Sequence, residues 1–391
     1  MEKRNTDFST ARALKFVVLL GTVSLFADMT YEGARSITGP YLAILGAKAA
    51  VVGFVAGFGE LIGYGFRLVS GYISDKTGKY WSITFLGYGV NLMAVPALAL
   101  TGRWELAAVL MIAERLGKAI RTPSRDAMLS HATKKTGRGW GFGLHEALDQ
   151  IGAVVGPLIV AVVLYFKGSY RTGFALLLLP AILALSILVA ARLLYPRPRD
   201  LEVASLELQT KRFPRIFWLY LAAVMLVGAG YVDFPLIAYH FQKASVVSNA
   251  WIPIFYSTAM GMDALAAIIF GRLFDKIGIS TLIIVSFLSS LFPPLVFLSG
   301  FCPALVGMAL WGVGMGAQES IMRAAIADMV SMDKRGTAYG IFNSGYGIFW
   351  FLGSALMGLL YGVSVPALVA FSMAMQLGSI PLFFLVRKMS K

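Results

Sequence analysis

Gly71-Tyr72-Ile73-Ser74-Asp75-Lys76-Thr77-Gly78 returns later in the chain as Gly271-Arg272-Leu273-Phe274-Asp275-Lys276-Ile277-Gly278. In both copies a glycine opens the segment, an Asp-Lys pair follows, a second glycine closes it, and a long apolar run stands directly before it. A second echo sets Arg138-Gly139-Trp140-Gly141-Phe142-Gly143 against Arg335-Gly336-Thr337-Ala338-Tyr339-Gly340. The repeat divides the chain into two related halves, residues 1–195 and 213–391, around a linker at 196–212. That linker lies in the longest polar stretch, Arg192 to Arg215, which opens Tyr195-Pro196-Arg197-Pro198-Arg199-Asp200 and holds a helix-compatible piece, Leu201 to Gln209.

On both sides of the repeat, apolar stretches of about 20 residues recur along the whole length, each enough to cross the roughly 30 Å hydrocarbon core of a bilayer as a helix. The spans expected are Phe16 to Gly39, Val51 to Tyr72, Trp81 to Thr101, Trp104 to Pro123, Trp140 to Phe166 and Gly173 to Tyr195, then Phe217 to His240, Trp251 to Arg272, Ile279 to Gly300, Pro303 to Asp328, Tyr339 to Tyr361 and Pro366 to Val386. The fourth and tenth are diluted by charges. Only 14% of the 391 residues are charged and 58% are hydrophobic, against about 25% charged in soluble domains. The expectation is an all-α integral membrane protein of twelve transmembrane helices.

The net charge of +14 does not mark a nucleic-acid binder. With the amino terminus in the cytoplasm, only Lys48, Arg103, Lys167, Arg171 and Lys243 fall in loops on the far side. Most other Lys and Arg lie in the termini and the cytoplasmic loops. This is the positive-inside asymmetry, and it places both termini and the linker in the cytoplasm of a multi-pass protein of the cell (inner) membrane. Met1 to Lys15 is polar and lacks a small-residue cleavage site, so the first span is expected to be retained. The single cysteine, Cys302, forms no intrachain disulfide.

The loop residues Gly71, Asp75, Lys76, Gly78 and Lys79, with the half-copy Gly271, Asp275, Lys276 and Gly278, resemble the signature between the second and third helices of the major facilitator superfamily. The resemblance covers essentially the whole chain. It implies two parallel-repeat six-helix bundles working by alternating access, and a latch of one conformation formed by Gly71, Asp75, Lys76, Gly78, Lys79, Asp275 and Arg323. In the fifth span Gly143, Gly152, Gly156 and Pro157 resemble the antiporter motif of drug-proton exporters. Small residues there let backbones approach and the proline bends the helix. Val160 and Ala161 replace the motif's last glycine pair, and His145, Glu146 and Asp149 lie where such exporters are usually apolar.

Ionisable residues inside a span are costly and mark function by default. Asp28, Glu32 and Arg35 share one face of the first span, as do Glu60, Tyr64 and Arg67 in the second. The fourth carries the stripe Glu114, Lys118, Arg121 and Arg125, with Arg115 one position off it; Asp149, Asp233, Asp263, Glu319 and Arg323 complete the set. In the resembled fold helices one, four, seven and ten line the cavity. Asp28, Glu32, Glu146 and Asp149 are the proton-coupling candidates, because a desolvated carboxylate exchanges protons near neutrality unless a cation holds it ionised. Arg35, Glu60, Glu114, Arg115, Lys118, Asp233 and Glu319 are the substrate-cavity candidates. Arg121, Arg125, Asp126, Arg323 and Asp328, near cytoplasmic helix ends, also suit structural ion pairs or a gate, and Glu60 and Arg67 suit a pair within one helix.

Enzyme readings fail. No Gly-x-x-x-x-Gly-Lys-(Ser/Thr) loop is present, and Gly312-Val313-Gly314-Met315-Gly316 lies in an apolar span with no strand before it. His145-Glu146-Ala147-Leu148-Asp149 begins like a zinc-protease helix but ends in aspartate. With three histidines and one cysteine no resident metal and no cofactor is expected. The reading is a monomeric proton-coupled exporter of a small molecule or ion, its partners being solute, protons and the lipid bilayer. Proton-coupled import of a polar or anionic metabolite, divalent metal-ion export and a membrane receptor are the alternatives.

Overall fold

The computed structural model describes residues 2–136, 138–196, 213–330 and 335–389, with side chains at all of these except 2–11, 131–136, 138–143, 323, 327, 328 and 335–337. The linker 196–212 is therefore almost entirely outside the described residues, as is the Leu201 to Gln209 segment. The same holds for the side chains of Arg323, Asp328 and the Arg138 to Gly143 echo.

The described chain is helical nearly throughout. The first part holds α1 (Glu2–Ile44), α2 (Ala49–Thr77), α3 (Tyr80–Ala97), α4 (Trp104–Thr136), α5 (Arg138–Tyr165), α6 (Tyr170–Leu176) and α7 (Leu178–Leu194). The second holds α8 (Arg215–Gly230), α9 (Phe234–Lys243), α10 (Trp251–Ile277), α11 (Ser280–Ser289), α12 (Phe292–Phe297), α13 (Phe301–Met329), α14 (Arg335–Val363) and α15 (Val365–Met389). The helix pairs α6/α7, α8/α9 and α11/α12 each make one interrupted span, so the chain crosses the membrane twelve times. Eleven of these spans are long and apolar enough to be recognised by composition among the described residues. The twelfth, α4, has 33 residues, but its stripe of Glu114, Arg115, Lys118, Arg121 and Arg125 lowers its hydropathy.

The repeated glycines end the second and eighth spans in the same way. Gly78 has φ +65° and Gly278 φ +57°, a region that side chains disfavour. The Gly78 amide donates to the Ser74 carbonyl at 2.8 Å and the Gly278 amide to that of Phe274 at 2.7 Å, each closing the last helical turn.

By contacts the described chain forms two compact units. Unit 1 comprises residues 1–34 and 65–205, unit 2 residues 35–64 and 206–391. The sequence repeat cuts the chain once, whereas the packing hands residues 35–64 to the second unit. Glycines are the physical reason: a β-carbon on Gly53 would stand 2.5 Å from the Ser354 carbonyl oxygen, and one on Gly57 2.7 Å from the Ser354 side chain, so α2 lies backbone to backbone on α14. In unit 1 the core joins Phe16, Val17, Leu20 and Val23 of α1 to Trp81, Tyr88 and Leu92 of α3, Met128 and Leu129 of α4, and Ala181, Ala184 and Leu188 of α7. In unit 2, α10 packs on α13, and α8 on α14 and α15.

Candidate functional site

Two glycine contacts set the geometry of unit 1. A β-carbon on Gly152 would lie 2.2 Å from the Leu25 carbonyl oxygen and 3.0 Å from Cβ of Asp28, and one on Gly156 would lie 2.4 Å from the Met29 carbonyl oxygen. The fifth span is thus pressed on the turn of α1 that carries Asp28. On the other side, a β-carbon on Gly117 would meet the Asn91 amide nitrogen at 2.3 Å and one on Gly87 the Arg121 amide nitrogen at 2.5 Å, which brings α4 equally close to α3.

Between these seams three carboxylates face three cations. Lys118 Nζ stands 3.9 Å from Glu32 Oε1, Arg121 Nη2 4.0 Å from Asp28 Oδ1, and Arg125 Nη1 3.8 Å from Asp149 Oδ2. Arg125 also holds Asp126 at 2.8 Å and donates to Ser24 Oγ at 3.0 Å. His145 Nε2 lies 3.0 Å from Ser24 Oγ, and His145 Nδ1 lies 3.5 Å from Asp149 Oδ2. A divalent cation at His145 and Asp149 would therefore meet the Arg125 guanidinium. Aromatic rings cover the cations: Lys118 Nζ is 4.1 Å above the Tyr31 ring, and the Arg121 guanidinium is 4.3 Å above that of Tyr88 and 5.7 Å above that of Tyr31.

Other candidates fall elsewhere. Asn91 Nδ2 donates to Glu114 Oε1 at 2.8 Å and to the Glu114 carbonyl at 3.0 Å, and Arg115 Nε lies 3.4 Å from Glu114 Oε2, so Glu114 is engaged in the α3–α4 seam. Glu146 is exposed. Asp75 and Asp275 are exposed, and Asp75 accepts a hydrogen bond from the Tyr80 hydroxyl at 3.3 Å.

Unit 2 holds its own buried charge group. Arg35 Nη2 donates to Glu60 Oε1 at 2.8 Å and stands 3.9 Å from Asp233 Oδ1. Asp233 sits where the seventh span breaks between α8 and α9; it accepts from Trp350 Nε1 at 2.9 Å and from the Ser354 hydroxyl. Glu319 lines a small cavity with Tyr64, Gln318, Tyr346 and Trp350. Within unit 2, Arg35 thus faces Glu60 and Asp233. Tyr31, Tyr88, Ser24, Asn91, Trp350 and Ser354 complete these two groups; they are ordinary residues for a membrane span and carry no signal of their own in the sequence. Among the described residues no group of three or more His, Cys, Asp or Glu could hold a metal ion.

The family model described as "Major Facilitator Superfamily" matches residues 20–262 and 216–391. An uncharacterised protein of Mycobacterium tuberculosis is 40% identical over 382 residues, covering 96% of this chain and 93% of the relative. An uncharacterised transporter of the same family from Methanocaldococcus jannaschii is 29% identical over 364 residues, covering 90% and 89%. Among solved structures, the nucleoside transporter NupG superposes with a TM-score of 0.73 at 14% identity, covering 96% of this chain and 99% of that one. That last likeness bears on the fold alone.

Proposed function

The chain belongs to the major facilitator superfamily and is a membrane transporter, not an enzyme, and from that premise we propose that it is a proton-coupled secondary active transporter that exports a small solute by alternating access. The sequence halves 1–195 and 213–391 are its two moving parts, the linker 196–212 and both termini lie in the cytoplasm, and the protein resides in the inner membrane as a monomer. Asp28 and Glu32 are the proton carriers, with Asp149 beside them.

One observation carries this reading. The antiporter-like glycines Gly152 and Gly156 seat the fifth span on the turn of α1 that bears Asp28, where Asp28 and Glu32 lie within 4.0 Å of Arg121 and Lys118. Each carboxylate there has a choice between a proton and a cation. A solute that disturbs the ion pairs changes that choice, which is the linkage an exchanger needs. The row Lys118, Arg121 and Arg125 favours a second reading, proton-coupled uptake of an anionic metabolite.

Reconstitution into proteoliposomes separates the two. With an imposed pH gradient, an exporter moves solute and protons in opposite directions, and an importer moves both the same way. Solute and proton moving together across the membrane would overturn the export reading.

A further inference from the structure

We propose that the solute carries an organic ammonium group, and that Lys118 is a tethered stand-in occupying the ammonium subsite formed by Tyr31, Glu32 and Asp28. This deepens the reading above and rests on its claim that Asp28 and Glu32 line the transport site.

The Lys118 ammonium lies 4.1 Å above the Tyr31 ring centroid and 3.9 Å from Glu32 Oε1. A ring face beside a carboxylate is the chemistry that recognises an ammonium, because the negative face of the π-system attracts cations and repels anions. The carboxylate distance is beyond a hydrogen bond, so Glu32 holds Lys118 by its field and not by a directed bond. Asp28 Oδ1, one turn earlier on α1, is buried and has no hydrogen-bond partner among the described residues; Arg121 Nη2 stands 4.0 Å from it. The subsite therefore has acceptor capacity that its present occupant does not use.

Exposure decides between cation and anion. An anionic solute would have to displace Glu32 or Asp28, whose side chains are 8% and 9% exposed, while Arg121 behind them is 1% exposed. The Lys118 side chain is 25% exposed and ends a flexible four-carbon stem. The group free to leave is the cation. Its replacement by another ammonium leaves the charge of the buried cluster unchanged, so the exchange avoids the cost of an unpaired buried carboxylate.

The test uses the full-length protein in nanodiscs, with thermal unfolding measured against n-butylammonium chloride, sodium butyrate and sodium chloride at equal ionic strength. Removing a tethered competitor should tighten ammonium binding: Lys118→Ala and Lys118→Met are expected to bind n-butylammonium about tenfold more tightly than the unmodified protein. Lys118→Arg should show no gain, and adding Tyr31→Leu to Lys118→Met should weaken binding roughly fivefold. A second measurement needs no variant. In the unmodified protein, tetramethylammonium should expel Lys118 and raise its rate of acetylation, read by mass spectrometry, whereas sodium acetate should not. Stabilisation by butyrate instead of butylammonium, or acetylation indifferent to tetramethylammonium, would overturn the proposal. If either result comes with a pH-driven transport that Asp28→Asn and Glu32→Gln abolish, only the ammonium assignment falls. Transport indifferent to both carboxylates would bring down the reading on which it rests.

Discussion

The α-carbon of Gly152 is seated against the carbonyl oxygen of Leu25, so close that a β-carbon would approach that oxygen to 2.2 Å. No side chain can be accommodated there without moving α5 away from α1. Gly152→Ala is therefore expected to cost about 1–3 kcal/mol, the range for overpacking a tight contact, and to lower the melting temperature. Gly63→Ala is the matched control. Its β-carbon would meet nothing within 4 Å, so removing a flexible glycine from α2 should leave stability unchanged or raise it by about 0.5–1 kcal/mol.

Replacing the proton carriers should separate coupling from exchange. The double variant Asp28→Asn, Glu32→Gln removes both titrating groups that face Lys118 and Arg121 while keeping their shape. Accumulation driven by a pH gradient should vanish, whereas counterflow, which needs no net proton movement, should persist if the solute still binds. For an exporter the driven flux of the native protein rises as the outside is made more acidic. Accumulation by the double variant under the same gradient would place the proton site elsewhere, with Asp149 the next residue to test.

The buried group of unit 2 makes an asymmetric prediction. One guanidinium, Arg35, serves two carboxylates, at 2.8 Å to Glu60 and 3.9 Å to Asp233. Arg35→Met removes the guanidinium that both acids face and should cost about 3–5 kcal/mol, the usual penalty for breaking a buried pair. Asp233→Asn leaves Arg35 with Glu60 and changes the hydrogen bond from Trp350, at about 1–3 kcal/mol. Melting temperatures of the two variants should fall in that order.

Within the loop signature, the glycines are not equivalent. Gly78 holds φ +65°, so Gly78→Ala should cost about 1–2 kcal/mol. Gly71→Ala should be tolerated, since its β-carbon would rest 3.5 Å from Pro123 Cβ, an ordinary contact. Asp75→Asn should slow turnover far more than it weakens solute binding, as measured by comparing transport rate with thermal-shift affinity. Equal losses in both would contradict a latch.

Orientation is checked by labelling. A cysteine introduced at Ser205 in a Cys302→Ser background should resist an impermeant maleimide in intact cells and react after permeabilisation. Reaction in intact cells would invert the topology.

The sequence made some of this legible and not the rest, for physical reasons. The repeated glycines at 78 and 278 announced their helix ends, because only glycine takes a positive φ cheaply, and both have one. Spacing showed that Asp28, Glu32 and Arg35 share a face, but periodicity names a face and not a neighbour. Within unit 1 Lys118 stands 3.9 Å from Glu32, and within unit 2 Arg35 pairs with Glu60. Glu114 points the same lesson: its place in a charged stripe says nothing of Asn91 on the adjoining helix, which donates to it. Phe217 to His240 reads as one span with Asp233 its sole acidic residue, so hydropathy does not show the break at Tyr231 to Asp233, although Asp233-Phe234-Pro235 is a helix-start pattern.

That break is a crank and not a hinge. The Gly230 carbonyl accepts from Ser372 and Gln376 of α15, the Val232 carbonyl accepts from Trp311 of α13 at 2.9 Å, and the Tyr231 hydroxyl donates to the Trp311 carbonyl. Bending at the elbow would strip these bonds inside a bilayer, where each unmet polar group costs several kcal/mol. The two arms α8 and α9 must then turn as one bent lever with α13 and α15, so that any rotation of α8 about its axis sweeps Asp233 and the start of α9 sideways.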